Sequence, residues 1–192
     1  MDNRQQRLWV VLLGAGFEGS FVGLAVLLGL LLGQPPLEHF RWSLTDAGWG
    51  VAASVPMLAG ALALMRWPVG PLARIKQFTD EVLRPLFAPC TVADLALISL
   101  LAGLGEEMCF RGVLQPVFMR WLGPISGLAL ASALFGLMHP ITAAYVVLAA
   151  LVGVYLGWLY NLSGNLLLVI VAHALYDFVL LVYLQRAPSA RG

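Results

Sequence analysis

Six ionisable side chains stand on otherwise apolar stretches in the second half of the chain: Glu106, Glu107, Arg111, His139, His173 and Asp177. An ionisable group at membrane depth is costly and as a rule faces a cavity or a partner. A carboxylate that activates water, with two imidazoles to donate to a developing oxyanion or to bind a metal, suffices for amide hydrolysis. Without a metal, Glu106 is the candidate general base. With one, Glu106, His139 and His173 are candidate ligands of a zinc ion, leaving a fourth position for water. No H-E-x-x-H pattern is present, so such a site has to be assembled across helices.

Helical spacing sharpens the assignment. Glu107 and Arg111 are four apart, share a face and can pair. Glu106 then lies about 100° around the helix, free to face something else. His173 and Asp177 are also four apart, so Asp177 can orient the imidazole. His139 precedes Pro140, where a helix tends to end. Each residue alone has a plainer reading, an ion pair or a satisfied core histidine; their joint occurrence on apolar segments favours a site. Glu18 lies within a first apolar run with no partner nearby in sequence, and packing and a site role are equally open to it. Cys90 and Cys109 are too few for a disulfide framework and read as buried thiols.

The elements that must carry these residues are membrane helices. The chain has 192 residues, of which 60% are hydrophobic and 11% charged, against about a quarter charged in a soluble domain. Residues 8–32 carry one charge, Glu18, over a length exceeding the roughly 20 residues that cross a bilayer core. Further apolar runs cover 47–64, 92–118, 122–138, 141–160 and 166–184. They predict an all-α, polytopic transmembrane bundle of about six spans in a single domain, 1–192, because only internally satisfied backbones persist in lipid. Residues 1–90 supply the N-terminal spans and a linker, and residues 91–185 the core with the candidate site. Apolar positions at 72, 75, 78/79 and 82/83 among charged ones fit an amphipathic surface helix in that linker. Lys and Arg outside the spans divide eight to three in favour of the side holding both termini, which predicts cytoplasmic termini. The net charge of +1 gives no reason to expect a nucleic-acid partner.

Gly105-Glu106-Glu107-Met108-Cys109-Phe110-Arg111 resembles the EExxxR motif of the CPBP family. These are the CAAX proteases and bacteriocin-processing enzymes, also called Abi proteins, which are relatives of the prenyl-protein endopeptidase Rce1. Phe135 to His139 resembles its FxxxH motif and His173 to Asp177 its HxxxN motif, in the family's order. The resemblance implies a helical bundle with a polar cavity in the membrane and a role in catalysis for Glu106, His139, His173 and Asp177. Glu106 would activate water with the help of His139. His173 and residue 177 would stabilise the oxyanion, while Glu107, Arg111 and Phe135 support the site. Position 177 departs from the pattern: Asp stands where Asn is usual, and an ionised Asp cannot donate a hydrogen bond.

The expected function is that of an intramembrane endopeptidase of the CAAX-processing type in a bacterial cell membrane. Its substrate would be a peptide or protein at the bilayer, such as a lipidated C-terminal tail or a leader peptide. The alternatives are a non-catalytic bacteriocin self-immunity or binding protein and a small proton-coupled transporter. The absence of an inverted repeat weighs against the transporter.

Overall fold

The computed structural model describes residues 2–186; Arg191, one of the eight Lys and Arg assigned to the side of the termini, lies outside them. The described residues form helices and no strand. Asp2 caps α1 (Asn3–Leu32) by accepting from the Gln5 amide, and Gly33, with φ of 64°, ends it. Ser43 caps α2 (Leu44–Arg66). Helix α3 (Leu72–Phe87) contains a π turn at Thr79–Leu83. Helix α4 (Val92–Leu122) opens on a capping box between Thr91 and Asp94 and contains a π turn at Met108–Leu114. Then follow α5 (Pro124–Leu137), α6 (Ala143–Ser163) and α7 (Leu166–Arg186).

Among the described residues, α1, α2, α6 and α7 are each long and apolar enough to cross a membrane, and α3 with α4, bent by 118°, makes a fifth if counted as one span. The expected count of about six is not reached by that measure. The segment around 122–138 yields only the 14 residues of α5. At about 1.5 Å per residue this helix is roughly 21 Å long, short of a hydrocarbon core of about 30 Å. Pro124 starts it at N1 and Leu137 ends it, two residues before His139. The amphipathic linker is helical as expected, with one difference. Leu72, Ile75, Phe78 and Leu83 of α3 turn toward the bundle and line its large cavity, while Asp80 pairs with Lys76 and Arg84.

Packing follows the rule for apolar surroundings, in which small residues let backbones approach. Helix α4 lies between α1 and α7, α2 packs on α7, and α5 pairs with α6. A Cβ at Gly103 would sit 2.8 Å from the Ala174 nitrogen of α7, and one at Gly105 2.7 Å from the Glu18 carbonyl oxygen of α1. These two glycines flank Leu104 just before Glu106, so α4 is gripped on both sides beside the candidate base. Large apolar side chains such as Leu13, Leu30, Leu31 and Val147 face outward. Trp42, Trp67 and Trp121 stand exposed by the helix ends, where interfacial aromatics belong. The chain is an integral membrane protein.

Both ends of the described chain meet at one end of the bundle. Gln6 donates to the Pro85 carbonyl, Arg7 pairs with Asp94 at 2.6 Å, and Gln185 donates to the Cys90 carbonyl. At the other end Asn165, fully buried, accepts from the Arg41 amide and donates to Asp46. Arg120 also reaches Gln34 there, at 2.5 Å.

Candidate active site

Glu107 and Arg111 behave as their spacing predicts and do more. Arg111 Nη1 donates to Glu107 Oε1 at 2.9 Å and its Nη2 to the Gly153 carbonyl of α6, also at 2.9 Å. The same Glu107 oxygen accepts from His173 Nδ1 at 2.7 Å. The ion pair therefore couples α4 to both α6 and α7. It is closed to solvent, with Glu107 at 0% and Arg111 at 1% exposure. The Phe135 ring covers it, 4.5 Å from the Arg111 guanidinium carbon. Phe135 also lies 4.9 Å from the His139 ring and 5.9 Å from that of His173. Phe135 thus packs against Arg111 and both imidazole rings, while His173 reaches the ion pair directly through Glu107.

Glu106 points the other way. Its side chain enters a cavity of about 710 Å³ shared with Glu18, His139, Tyr145, His173, Tyr176 and Asp177. His139 Nδ1 donates to the Phe135 carbonyl at 2.8 Å, which turns Nε2 toward Glu106 Oε2, 4.0 Å away. The early end of α5 makes this possible: His139 sits in the α5–α6 turn at the depth of Glu106, as its place before Pro140 suggests. His173, held at Nδ1 by Glu107, presents Nε2 to the cavity 3.5 Å from Asp177 Oδ2. The imidazole is thus oriented by Glu107 rather than by Asp177 alone, a link across 66 positions of sequence.

The π turn that begins at Met108 directly after the two glutamates widens the helix where they diverge. Such turns gather at functional sites. All four candidate catalytic residues line one cavity together with Phe135, and Glu107 and Arg111 stand behind it. The third histidine, His39, packs against Tyr160 away from this cluster. Sequence reasoning left Glu18 undecided and did not single out Tyr145 or Tyr176. Glu18 had one signal, a charge inside an apolar run; the tyrosines had none.

The proposed metal set is not gathered as ligands are. No three of the described His, Cys, Asp and Glu side chains are arranged to hold an ion. His173 Nδ1 is occupied by Glu107, and its Nε2 faces Asp177. The geometry present is that of a carboxylate with an imidazole on one side and a second imidazole opposite, able to move a proton and to place a donor near a carbonyl oxygen.

The chain is similar to the uncharacterized protein YpbD of Bacillus subtilis, with 26% identity over 148 residues, covering 72% of this chain and 70% of that protein. No solved structure matches it. Residues 88–179, which hold the EExxxR, FxxxH and HxxxD segments, match the family model described as type II CAAX prenyl endopeptidase Rce1-like.

Proposed function

We propose that the chain hydrolyses a peptide bond in its membrane cavity with water activated by Glu106. One observation carries this reading. Glu106 Oε2 is buried, finds no hydrogen-bond partner among the described residues, and faces His139 Nε2 across 4.0 Å in a cavity that His173 also enters. A buried carboxylate oxygen without a donor is costly in a structural role and is what a general base requires.

In this reading Glu106 takes a proton from water as the water oxygen bonds to the substrate carbonyl carbon. The electron pair of the C=O bond moves to oxygen, and His173, donating through Nε2–H, meets that charge. Collapse of the intermediate breaks the C–N bond, and the leaving amine receives the proton from Glu106, with His139 Nε2 beside it to pass the proton on. With Nδ1–H given to Glu107, a hydrogen on Nε2 makes His173 an imidazolium; Asp177, unable to donate when ionised and 3.5 Å from Nε2, holds that hydrogen until the oxyanion takes it. The substrate is a peptide or protein at the membrane, a lipidated C-terminal tail or a leader peptide. The apolar lining from Met57, Leu64, Phe78 and Leu180 suits a chain with an apolar portion. No step is derived through a metal.

Cleavage of a fluorogenic panel that includes prenylated tails and leader peptides, by the purified protein in lipid, tests the reading. Wild type is expected to cleave at least one member, and Glu106→Gln to lose about 100-fold or more in rate, the scale of general-base catalysis. Loss of activity on chelation, restored by zinc, would bring a metal back into the mechanism. Equal rates for wild type and Glu106→Gln would favour a non-catalytic binding protein.

A further inference from the structure

The first span contributes to this site a residue that lies outside the family-matched segment 88–179. Glu18 sits near the middle of α1 (Asn3–Leu32) and lines the same cavity as Glu106. Its Oε2, like Glu106 Oε2, is closed to solvent and has no hydrogen-bond partner among the described residues. The approach of the two helices is built in, because at Gly105, beside Glu106, α4 lies against the backbone of Glu18 and Val22. Neither Lys nor Arg lines the cavity among the described residues, and the ionisable groups that face Glu18 there are Glu106, Asp177 and His173. A carboxylate placed in an apolar span without a salt-bridge partner is costly as packing. Two carboxylates with free acceptor oxygens in one cavity match the two donors of a single water molecule.

We propose that Glu18 is a positioning residue for hydrolysis: it accepts one O–H of the attacking water while Glu106 accepts the other. The water oxygen's lone pairs are thereby aimed at the substrate carbonyl. The proton that leaves goes to Glu106, and Glu18 keeps its hydrogen bond to the resulting hydroxyl as the C–O bond forms. This inference rests on the peptidase reading and adds a second anchor to it. Misplacement of a nucleophile by about 1 Å costs on the order of 100-fold, and removal of residues that orient a reacting group costs about 10- to 100-fold.

The test is steady-state cleavage of the substrate found in the panel, by wild type, Glu18→Ala and Glu18→Gln in the same lipid. Glu18→Ala is expected to lower kcat about 10- to 100-fold with KM changed less than about threefold. Glu18→Gln, which keeps the shape and one acceptor oxygen but not the charge, is expected to fall between Ala and wild type. Thermal unfolding of both variants should stay at or above the wild-type midpoint, because each removes a buried carboxylate without a partner. A glutamine variant at wild-type kcat, or a loss carried by KM alone, overturns the positioning role and leaves the peptidase reading standing. If wild type cleaves nothing, the peptidase reading fails and this inference fails with it. A lowered unfolding midpoint in both variants, matched by the loss of activity, assigns Glu18 to packing and overturns the proposal.

Discussion

Glu107 Oε1 serves Arg111 and His173 at once, so its removal orphans two partners in a place without water. Breaking a buried pair from one side costs about 3–5 kcal/mol, because the remaining charge is left uncompensated. Glu107→Ala is accordingly expected to lower the unfolding midpoint in detergent sharply, and the double change Glu107→Ala with Arg111→Met to recover part of that loss. A double variant no more stable than the single one would count against the ion pair as the reason. Asp177 gives a second expectation. Asn at 177 can still accept from His173 through its amide oxygen and can also donate. Asp177→Asn is therefore expected to stay within about threefold of wild type in cleavage rate, whereas Asp177→Ala should lose about 10-fold or more. The ionisable residues themselves were legible in the sequence because charge inside apolar runs is conspicuous, and four-residue spacing gave the Glu107–Arg111 and His173–Asp177 pairs. The Glu107–His173 bond and the place of Glu18 were not legible, since both are contacts between distant helices that no local spacing encodes.

At the level of elements, apolar run length was readable and located the long helices, while the Asp2, Ser43 and Thr142 caps and the terminating Gly33 and Gly164 set their observed bounds. Two features were not. The π turn at Met108–Leu114 leaves no periodic trace in a segment that is buried nearly all round. The brevity of α5 is set by Pro124 and by the His139-Pro140 turn, while the apolar run itself continues on both sides, so hydropathy alone overcounts the span. Close packing of α4 is the condition for both carboxylates to share the cavity, and Gly105 is where it is most exposed to a single change. A Cβ there meets backbone, the Glu18 carbonyl oxygen at 2.7 Å and Phe21 Cβ at 3.0 Å, which cannot rotate away. Gly105→Ala is expected to destabilise by about 1–3 kcal/mol, the usual range for overpacking, and to reduce cleavage by more than that loss of folded protein explains. Unfolding curves read beside kcat on the folded fraction check it, and unchanged values of both would mean that α1 does not bear on the site.

Across the whole molecule, the cavity and the charges point to the same side of the membrane. From Glu106 and His139 the cavity runs past Leu64, Trp67, Leu72, Leu83 and Leu184, residues of the bundle end where Gln6, Arg7, Cys90 and Gln185 meet. That end also carries Arg4, Arg66, Arg74, Lys76, Arg84 and Arg186, whereas Arg41 and Arg120 lie at the other. An excess of Lys and Arg in short loops marks the cytoplasmic face, so we propose that both termini and the cavity mouth face the cytoplasm and that substrate enters from there. The two native cysteines, Cys90 and Cys109, are buried, which leaves a low background for thiol labelling in cells. Trp42→Cys, at an exposed position near the opposite end, is expected to react with a membrane-impermeant maleimide in intact cells. Arg4→Cys, exposed at the N-terminus, should react only after the membrane is opened. The reverse pattern would invert the protein and place the cavity mouth, with its substrate, outside the cytoplasm; labelling of both sites in intact cells would separate two ends that the contacts of Asp94, Cys90 and Pro85 hold apart from Asn165.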